Sequence, residues 1–561
     1  MVTTGRGPAK ALRGGLKGGT PGKAGKGKGK RTEGAAGGTV AARRPEGRPY
    51  VSGEWTYELP SLSIPADKAK GSFSADVIVV GAGASGKAAA LSASEAGARV
   101  IQIDRHTTFR YGGGIIAAIG SKLQTGLGIP VDKDDVCLQL MRHAGNKPDQ
   151  RLIRLWADHS GAVVDWLTEF TDPRGVKTLM YQWPPPAAFD AKTEYYPEYT
   201  VGHWQTGGTS RILNHSLLLR PMEEAALSRG VEIRYRTRAV QLIRRGNGRV
   251  TGVVAIDWKG EYIRFIARKA VILCTGDYGN NPRMMQAYCP TAAEVALENN
   301  IYMTRNEDLL EAPEPLNTGD GHQMAMRIGA VMEPPPHAPM SHITVGPLGN
   351  DAFLRVNMDG VRYENEDVPG QSIANSVARQ PGKRAWQVFD AKWAEEIGRM
   401  GIGLGKYYEV NQLVRDRVEQ QTVKAESIEA LAGQMGVPSE ALEATVARYN
   451  DLARNGRDLD FGKRADRLTT VERPPFYAGW VRQEFLVVLG GLVGNTKLQP
   501  LDAERRVIPG LYLAGNTMGN RFGNDYPTMC PGLSHGMAYV TGRLAGLYAA
   551  AETGVATAGS P

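Results

Sequence analysis

The sequence predicts an α/β fold in which a Rossmann-like domain on a mostly parallel sheet carries a small β-meander and is interrupted by an α+β segment. Three observations predict it. Residues 76–104 read as strand, glycine turn, helix and strand in unbroken order; residues 231–276 change to short strands separated by Gly-rich turns; and a mixed stretch, 333–488, intervenes before a last strand and helix. At 561 residues and 42% hydrophobic content the chain has length for two or three domains and a large core.

The first unit organises the rest. Val77, Ile78, Val79 and Val80 run into Gly81-Ala82-Gly83-Ala84-Ser85-Gly86, which matches G-x-G-x-x-G. An Ala-rich helix follows, then a second strand, Arg99 to Ile103, closing on Asp104. Gly81 permits the tight turn, Gly83 lets backbone approach a pyrophosphate, and Gly86 lets helix and strand pack closely. The phosphates would rest on unpaired N–H groups at the helix N-terminus. Asp104, 23 residues after Gly81, stands where a carboxylate accepts hydrogen bonds from a ribose.

The formal charge of +9 belongs to the first 50 residues, which hold six Lys, six Arg and two Glu and leave the remainder at −1. With 14 glycines and few large apolar side chains, residues 1–50 cannot bury enough surface to offset ordering entropy, and are expected to be a disordered basic tail. Such an arm could neutralise phosphates of nucleic acid or an anionic membrane. No aromatic residue precedes Tyr50, which removes base stacking and favours a solvated extension or an over-long reading frame; no specific nucleic-acid partner is expected. No apolar run follows Arg43-Arg44 and none reaches transmembrane length, so a cytoplasmic location is expected. The four cysteines, Cys137, Cys274, Cys289 and Cys530, form no C-x-x-C, which argues against disulfide scaffolds, zinc ribbons, clusters and c-type haem. No metal ligands are assigned.

Residues 51–70 read as an extended arm, and the domain begins near Gly71. A second glycine cluster, Gly112-Gly113-Gly114-Ile115 to Gly120, lets backbone approach a bulky ligand. Residues 133–170 have helical spacing. Met180 to Trp204 carries Pro184-Pro185-Pro186 and eight aromatic or histidine side chains, so these rings are placed on a loop that either walls a flat apolar pocket or pins itself to the core. A helix runs from Gln205 to about Ser228. The meander spans EIRYRTRAVQLI, VTGVVAIDW and EYIRFIARKAVILCTG, whose last part, from Ala270, returns to the parallel sheet. Asn317-Thr318-Gly319-Asp320-Gly321 precedes a helix; residues 333–488 have their own strands and helices; Leu511-Tyr512-Leu513 is a strand and Pro531-Gly532 opens the closing helix.

The ordered set GAGASG, TGG, ILCTG, NTGDG, DGVRYENE (Asp359 to Glu366), GG, GLYLAGNT and GRLAG resembles the fumarate reductase and 3-ketosteroid dehydrogenase flavoproteins over about residues 71–552. The resemblance implies an FAD-binding domain from 71–332 and 489–552, a substrate cap domain from 333–488, and a flexible end, 553–561. It places Gly81, Ala82, Gly83, Ala84, Ser85 and Gly86 on the pyrophosphate, Asp104 and Arg105 at the adenosine ribose, and Gly113, Gly114, Ile115 and Gly120 along the diphosphate and flavin. Val240 would line the adenine with Thr275 and Gly276 following it, Asp320 would reach the flavin side, Gly515 and Asn516 the ribityl chain. Leu533 and Ser534 would open a helix aimed at the flavin pyrimidine edge.

The departures bear on the substrate. Fumarate reductases hold a dicarboxylate with arginines and histidines, but Gly370 stands at the protonating arginine, Met529 at the second arginine, and Leu486 to Leu489 include no histidine. Asn524-Asp525-Tyr526-Pro527 resembles the Tyr-Pro loop with which ketosteroid dehydrogenases hydrogen-bond a carbonyl, making Tyr526 the electrophilic residue. Trp204, Gly370 and Gly532 are expected at the substrate; Gln371, His342 and Arg521 are candidates for handling the proton. The expected activity is FAD-dependent reduction of a C=C bond next to a carbonyl in a bulky, steroid-like enone or enoate, with hydride from flavin N5. Dehydrogenation is the alternative direction, and a basic-tailed tethering module the alternative of another class. With one nucleotide-binding unit visible, a separate electron-transfer protein or reduced carrier is implied.

Overall fold

The computed structural model describes residues 64–181, 190–192, 194–206, 214–298, 316–341, 346–401 and 410–554. The basic tail, most of the 51–70 arm, the triple proline, His342 and the chain end lie outside the described residues.

The main sheet has seven strands: β1 (Ala69–Val80), β2 (Val100–Ile103), β3 (Glu232–Arg234), β4 (Arg238–Arg244), β5 (Val250–Ile256), β6 (Tyr262–Leu273) and β7 (Leu511–Leu513). Their order is β3-β2-β1-β6-β5-β4, with β7 also paired to β6. β3, β2, β1, β6 and β7 are parallel, while β4 and β5 add antiparallel strands. β6 therefore serves two partners: its first half pairs with β5 as part of the meander, and Val271–Leu273 pair with β7. β1 is longer than the buried run Val77–Val80, because Phe73 and Ala75 alternate with exposed Lys70 and Ser72 and the extension pairs with Tyr262–Ala267. The arm accordingly ends before Ala69.

Register brings Val80, Ile103, Leu273 and Leu513 into one row. Gly81, Asp104, Thr275-Gly276 and Gly515-Asn516 all follow at the carboxyl edge of the sheet, where open α/β sheets bind ligands. Helix Ala84–Glu95 and the closing helix Leu533–Ala551 cross closely there, since a Cβ on Gly542 or Gly546 would lie 2.4 Å from the Ser85 or Ala89 carbonyl oxygen.

The stretch placed on a loop is bounded by strands. Ile115–Ala117, Gly202–Thr206 and Lys177–Met180 form a three-stranded sheet, with Ile115 opposite Trp204. His203 on that strand is fully buried, 2.7 Å from Ser121 Oγ and 2.8 Å from the Val201 carbonyl, and acts as packing. The segment after it resumes as a helix over Ser216–Ser228.

Within 333–488, strands Leu354–Val356, Arg384–Asp390, Phe476–Arg482 and Thr422–Ala425 form an antiparallel sheet in that order, backed by helices Ile428–Met435 and Ser439–Arg454. This layer has its own core around Leu354, Trp386, Leu431, Leu442 and Tyr449. A short antiparallel ladder pairs Pro339–Met340 with Val487–Val488, close to the two ends of the 333–488 stretch.

Candidate functional site

A cavity of about 520 Å³ opens at the carboxyl edge of the sheet. Of the residues expected to hold the cofactor, Gly81, Gly83, Ala84, Ser85, Asp104, Arg105, Gly113, Gly114, Ile115, Thr275, Gly276, Asp320, Gly515, Asn516 and Ser534 lie on its wall. The turn is built as its residues dictate. Gly81 has φ +111°, and a Cβ there would stand 2.2 Å from the Cys274 carbonyl oxygen; one on Gly86 would stand 2.1 Å from the Gly81 carbonyl oxygen. Gly81→Ala is therefore expected to force the turn from β6, cost about 1–3 kcal/mol and lower the FAD content of the purified protein. The flavin absorbance per chain and the melting temperature check this.

Other residues fall elsewhere. Ala82 donates its N–H to Asp104 Oδ2 at 2.7 Å, and Gly86 packs helix to strand; neither lines the cavity. Gly120 is exposed and Leu533 is buried behind the helix start, both off the wall. Val240 sits at a register shift in β4, where a bulge turns Ala239 toward the cavity in its place. Asp320, expected toward the flavin, is gripped by Arg238 (2.9 and 3.0 Å) and Arg105 (3.1 Å), and so belongs to the end marked by Asp104. Burial would raise its carboxyl, but these two guanidinium groups hold it down to about 2. Sequence reasoning missed Arg238, which lies 82 residues from its partner with no local signal.

Tyr526 is on the wall and 2% exposed. Its phenol oxygen accepts the Ser534 N–H from the first turn of the closing helix at 3.4 Å, and burial pushes the phenol up. Gly532 is on the wall beside it. Trp204 and Gly370 are not: Gly370 starts helix Gly370–Val377, where a Cβ would meet the Asn350 side-chain amide at 2.7 Å and displace it. Gln371 donates to Ser341 Oγ (3.1 Å) and Asn375 Oδ1 (3.2 Å) and accepts the Ser341 N–H (3.1 Å), which engages its amide in holding the segment after Met340. Asn375 in turn donates to Asp525 at 2.9 Å, tying this helix to the Tyr526 loop. Arg521 is fully buried; it donates to the Met518 carbonyl (2.9 Å) and Asn516 Oδ1 (3.2 Å) and is off the wall, acting through Asn516.

Two further wall residues bear on the chemistry: His535, which the resemblance sets with Leu533 and Ser534 at the start of the closing helix, and Asp277, which the sequence reading did not single out. His535 stacks on His215 with ring centroids 4.6 Å apart and meets the Ile115 carbonyl at 3.1 Å; burial lowers it. Asp277 follows Thr275-Gly276 and is the one charge in AVILCTGDYG, a signal that could have found it.

The residues fit a flavin dinucleotide. The glycine cradle at Gly81, the carboxylate at the end of β2, and the buried Arg110 Nε, which has no hydrogen-bond partner among the described residues, suit a large dinucleotide ligand. A glycine cradle and a carboxylate at the carboxyl edge of a parallel sheet define a dinucleotide-binding protein. The FAD binding domain family model matches residues 76–529, and the chain belongs to that family. FAD is its cofactor, and it is an FAD-dependent oxidoreductase acting on C=C bonds. It is similar to the vinyl phenol reductase of Lactiplantibacillus plantarum (28% identity over 511 residues, 85% of this chain and 97% of that one). In structure it is similar to a flavocytochrome c3 fumarate reductase in an open conformation (TM-score 0.64, 27% identity, 86% and 79% covered). It is also similar to the 3-ketosteroid-Δ4-(5α)-dehydrogenase of Rhodococcus jostii RHA1 (TM-score 0.66, 25% identity, 86% and 97% covered). No helix among the described residues is long and apolar enough to cross a membrane.

Proposed function

We propose that the chain is an ene-reductase for a bulky, apolar enone or enoate, with Tyr526 polarising the substrate carbonyl. The observation that carries this reading is the phenol of Tyr526 on the cavity wall, backed by a helix N–H and sharing that wall with Met340, Leu486 and Val487. The cavity's arginines support it too. Arg105 and Arg238 bind Asp320, and Arg110 is drawn to Asp104, so these cations gather at the adenosine end, leaving the apolar end without a built dicarboxylate clamp among the described residues.

Bound in the cavity, FAD supplies hydride chemistry. The chain's residues do the rest. Accepting the Ser534 N–H makes Tyr526 a stronger donor toward an oxygen that gains negative charge as hydride adds to the β-carbon. Gly532 keeps the backbone close to the substrate, and the layer formed by 333–488 acts as its cap. Electrons come from a separate redox protein or reduced carrier. Similarity to a ketosteroid dehydrogenase structure supports the oxidative direction as the second reading.

The test is the visible spectrum of the purified protein, reduced anaerobically with dithionite and mixed with an enone panel and with fumarate. Rapid reoxidation by a bulky enone and none by fumarate is expected. A flavin that fumarate reoxidises and enones do not would overturn the assignment.

A further inference from the structure

Three carboxylates lie on the cavity wall: Asp104, Asp277 and Asp320. Two are committed. Asp104 accepts the N–H groups of Ala82 (2.7 Å) and His106 (2.8 Å), closing the turn at the end of β2, and Asp320 is locked by Arg105 and Arg238. Asp277 differs from both, because among the described residues no ion pair reaches it. Its Oδ1 accepts the Gly279 N–H at 2.7 Å, its carboxyl takes the backbone N–H of Val488, and it is 1% exposed. Val488 belongs to the ladder with Pro339–Met340, and its neighbours Val487, Leu486 and Met340 form the apolar part of the wall.

Burial in this setting drives the Asp277 carboxyl up to about 7, against the pull of the backbone N–H groups. The titratable groups whose charges couple to it are Tyr278 and Cys289, both pushed up by burial, Cys289 to about 12; each is neutral where Asp277 titrates. The Phe485 to Val488 segment and Leu316-Asn317 present no charge. Tyr526 on the same wall is a poor acid, and His535 is held neutral with Nδ1 at the Ile115 carbonyl. Asp277 is thus the wall carboxyl suited to hold a proton at neutral pH and release it.

We propose that Asp277 is the general acid that delivers the substrate proton, the role that Gln371 and Arg521 are too engaged to fill. This rests on the ene-reductase reading. The Asp277 O–H bond breaks as a Cα–H bond forms, and its electron pair stays behind as carboxylate. The balancing hydride to Cβ would be supplied by the reduced FAD that the Gly81–Gly86 cradle would hold, so that the alkene gains two electrons and the flavin loses them. Water then returns the proton to Asp277.

The experiment compares the FAD-loaded full chain with Asp277→Asn and Asp277→Glu. Infrared difference spectra across pH 5–9 are expected to show a protonated-carboxyl band that titrates near pH 7 and is missing from Asp277→Asn. Reoxidation of the dithionite-reduced protein by an enone is expected to fall above pH 7 in the parent. In Asp277→Asn it should be slower by roughly 10²-fold or more and flat with pH, with partial rescue by Asp277→Glu. A parent-like rate and pH profile in Asp277→Asn, or no such infrared band in the parent, overturns the proposal and leaves Asp277 as a pin between Gly279 and Val488. If no enone reoxidises the parent, the ene-reductase reading fails while the infrared titration still reports the carboxyl; if Asp277→Asn does not fold, the band in the parent and its shift in Asp277→Glu decide.

Discussion

Tyr526→Phe is expected to slow enone-dependent flavin reoxidation by roughly 10²–10³-fold, the range seen when one donor to a developing oxyanion is removed. FAD content should not change. The ring is packed 5.8 Å from Phe522 in a fully buried setting, and phenylalanine keeps that packing while deleting only the hydroxyl. The cost falls on kcat rather than on substrate affinity, because the oxygen on the substrate carries its negative charge only as hydride arrives. One consequence separates this from simple loss of a buried hydrogen bond. The Ser534 N–H loses its acceptor in the variant and a water or substrate oxygen can take its place, so a residual rate insensitive to the substrate's carbonyl basicity is expected. Stopped-flow reoxidation with a series of substituted enones measures both. A variant as fast as the parent would remove Tyr526 from the chemistry.

The parts of this site that sequence carries are those set by local rules. Val77 to Val80, Gly81 and Gly86 specify strand, turn and close helix packing within ten residues, and the fold around them follows. The parts it hides depend on distant partners. Asp320 reads as a lone acid between glycines until Arg238 arrives from another strand and draws it to the adenosine end. Val240 has the right strand pattern, but a one-residue bulge exchanges it for Ala239. Trp204 lies among prolines and rings that suggest a loop, yet pairing with Ile115 makes it a strand residue off the cavity. Gln371 has suitable chemistry for a site, and only its three hydrogen bonds to Ser341 and Asn375 show that it holds structure. Asp277 was visible as a charge beside an apolar strand end; what gives it interest is the absence of a partnered cation among the described residues, which no sequence pattern states.

The DGVRYENE motif leads to the second large effect, on stability. Glu366 is fully buried and accepts both Arg362 Nε and Nη2 at 2.8 Å, with Lys463 Nζ at 3.3 Å and the Arg355 N–H at 3.3 Å. Arg362 also grips Asp458 at 3.0 and 2.8 Å, and Lys463 donates to Tyr449 at 2.7 Å. Glu366→Gln keeps the shape and removes the charge, leaving Lys463 without its carboxylate and Arg362 with Asp458 alone in a low-dielectric interior. Breaking a buried pair in this way costs about 3–5 kcal/mol. Lys463 relieves part of this, since burial already lowers it to about 8 and it can shed its proton. Burial would raise the Glu366 carboxyl, but Lys463 and Arg362 hold it below its ordinary value, so its contribution is present above the usual carboxylate range and lost as pH falls through the folded value. The melting temperatures of parent and variant should therefore differ by about 10 °C near pH 7 and converge in acid. The core around Leu354, Trp386 and Tyr449 is separate from that of the nucleotide-binding sheet. The variant should accordingly keep its flavin while residues 333–488 become sensitive to protease and enone reoxidation is lost; loss of flavin together with the cap would show that the two layers fold as one unit.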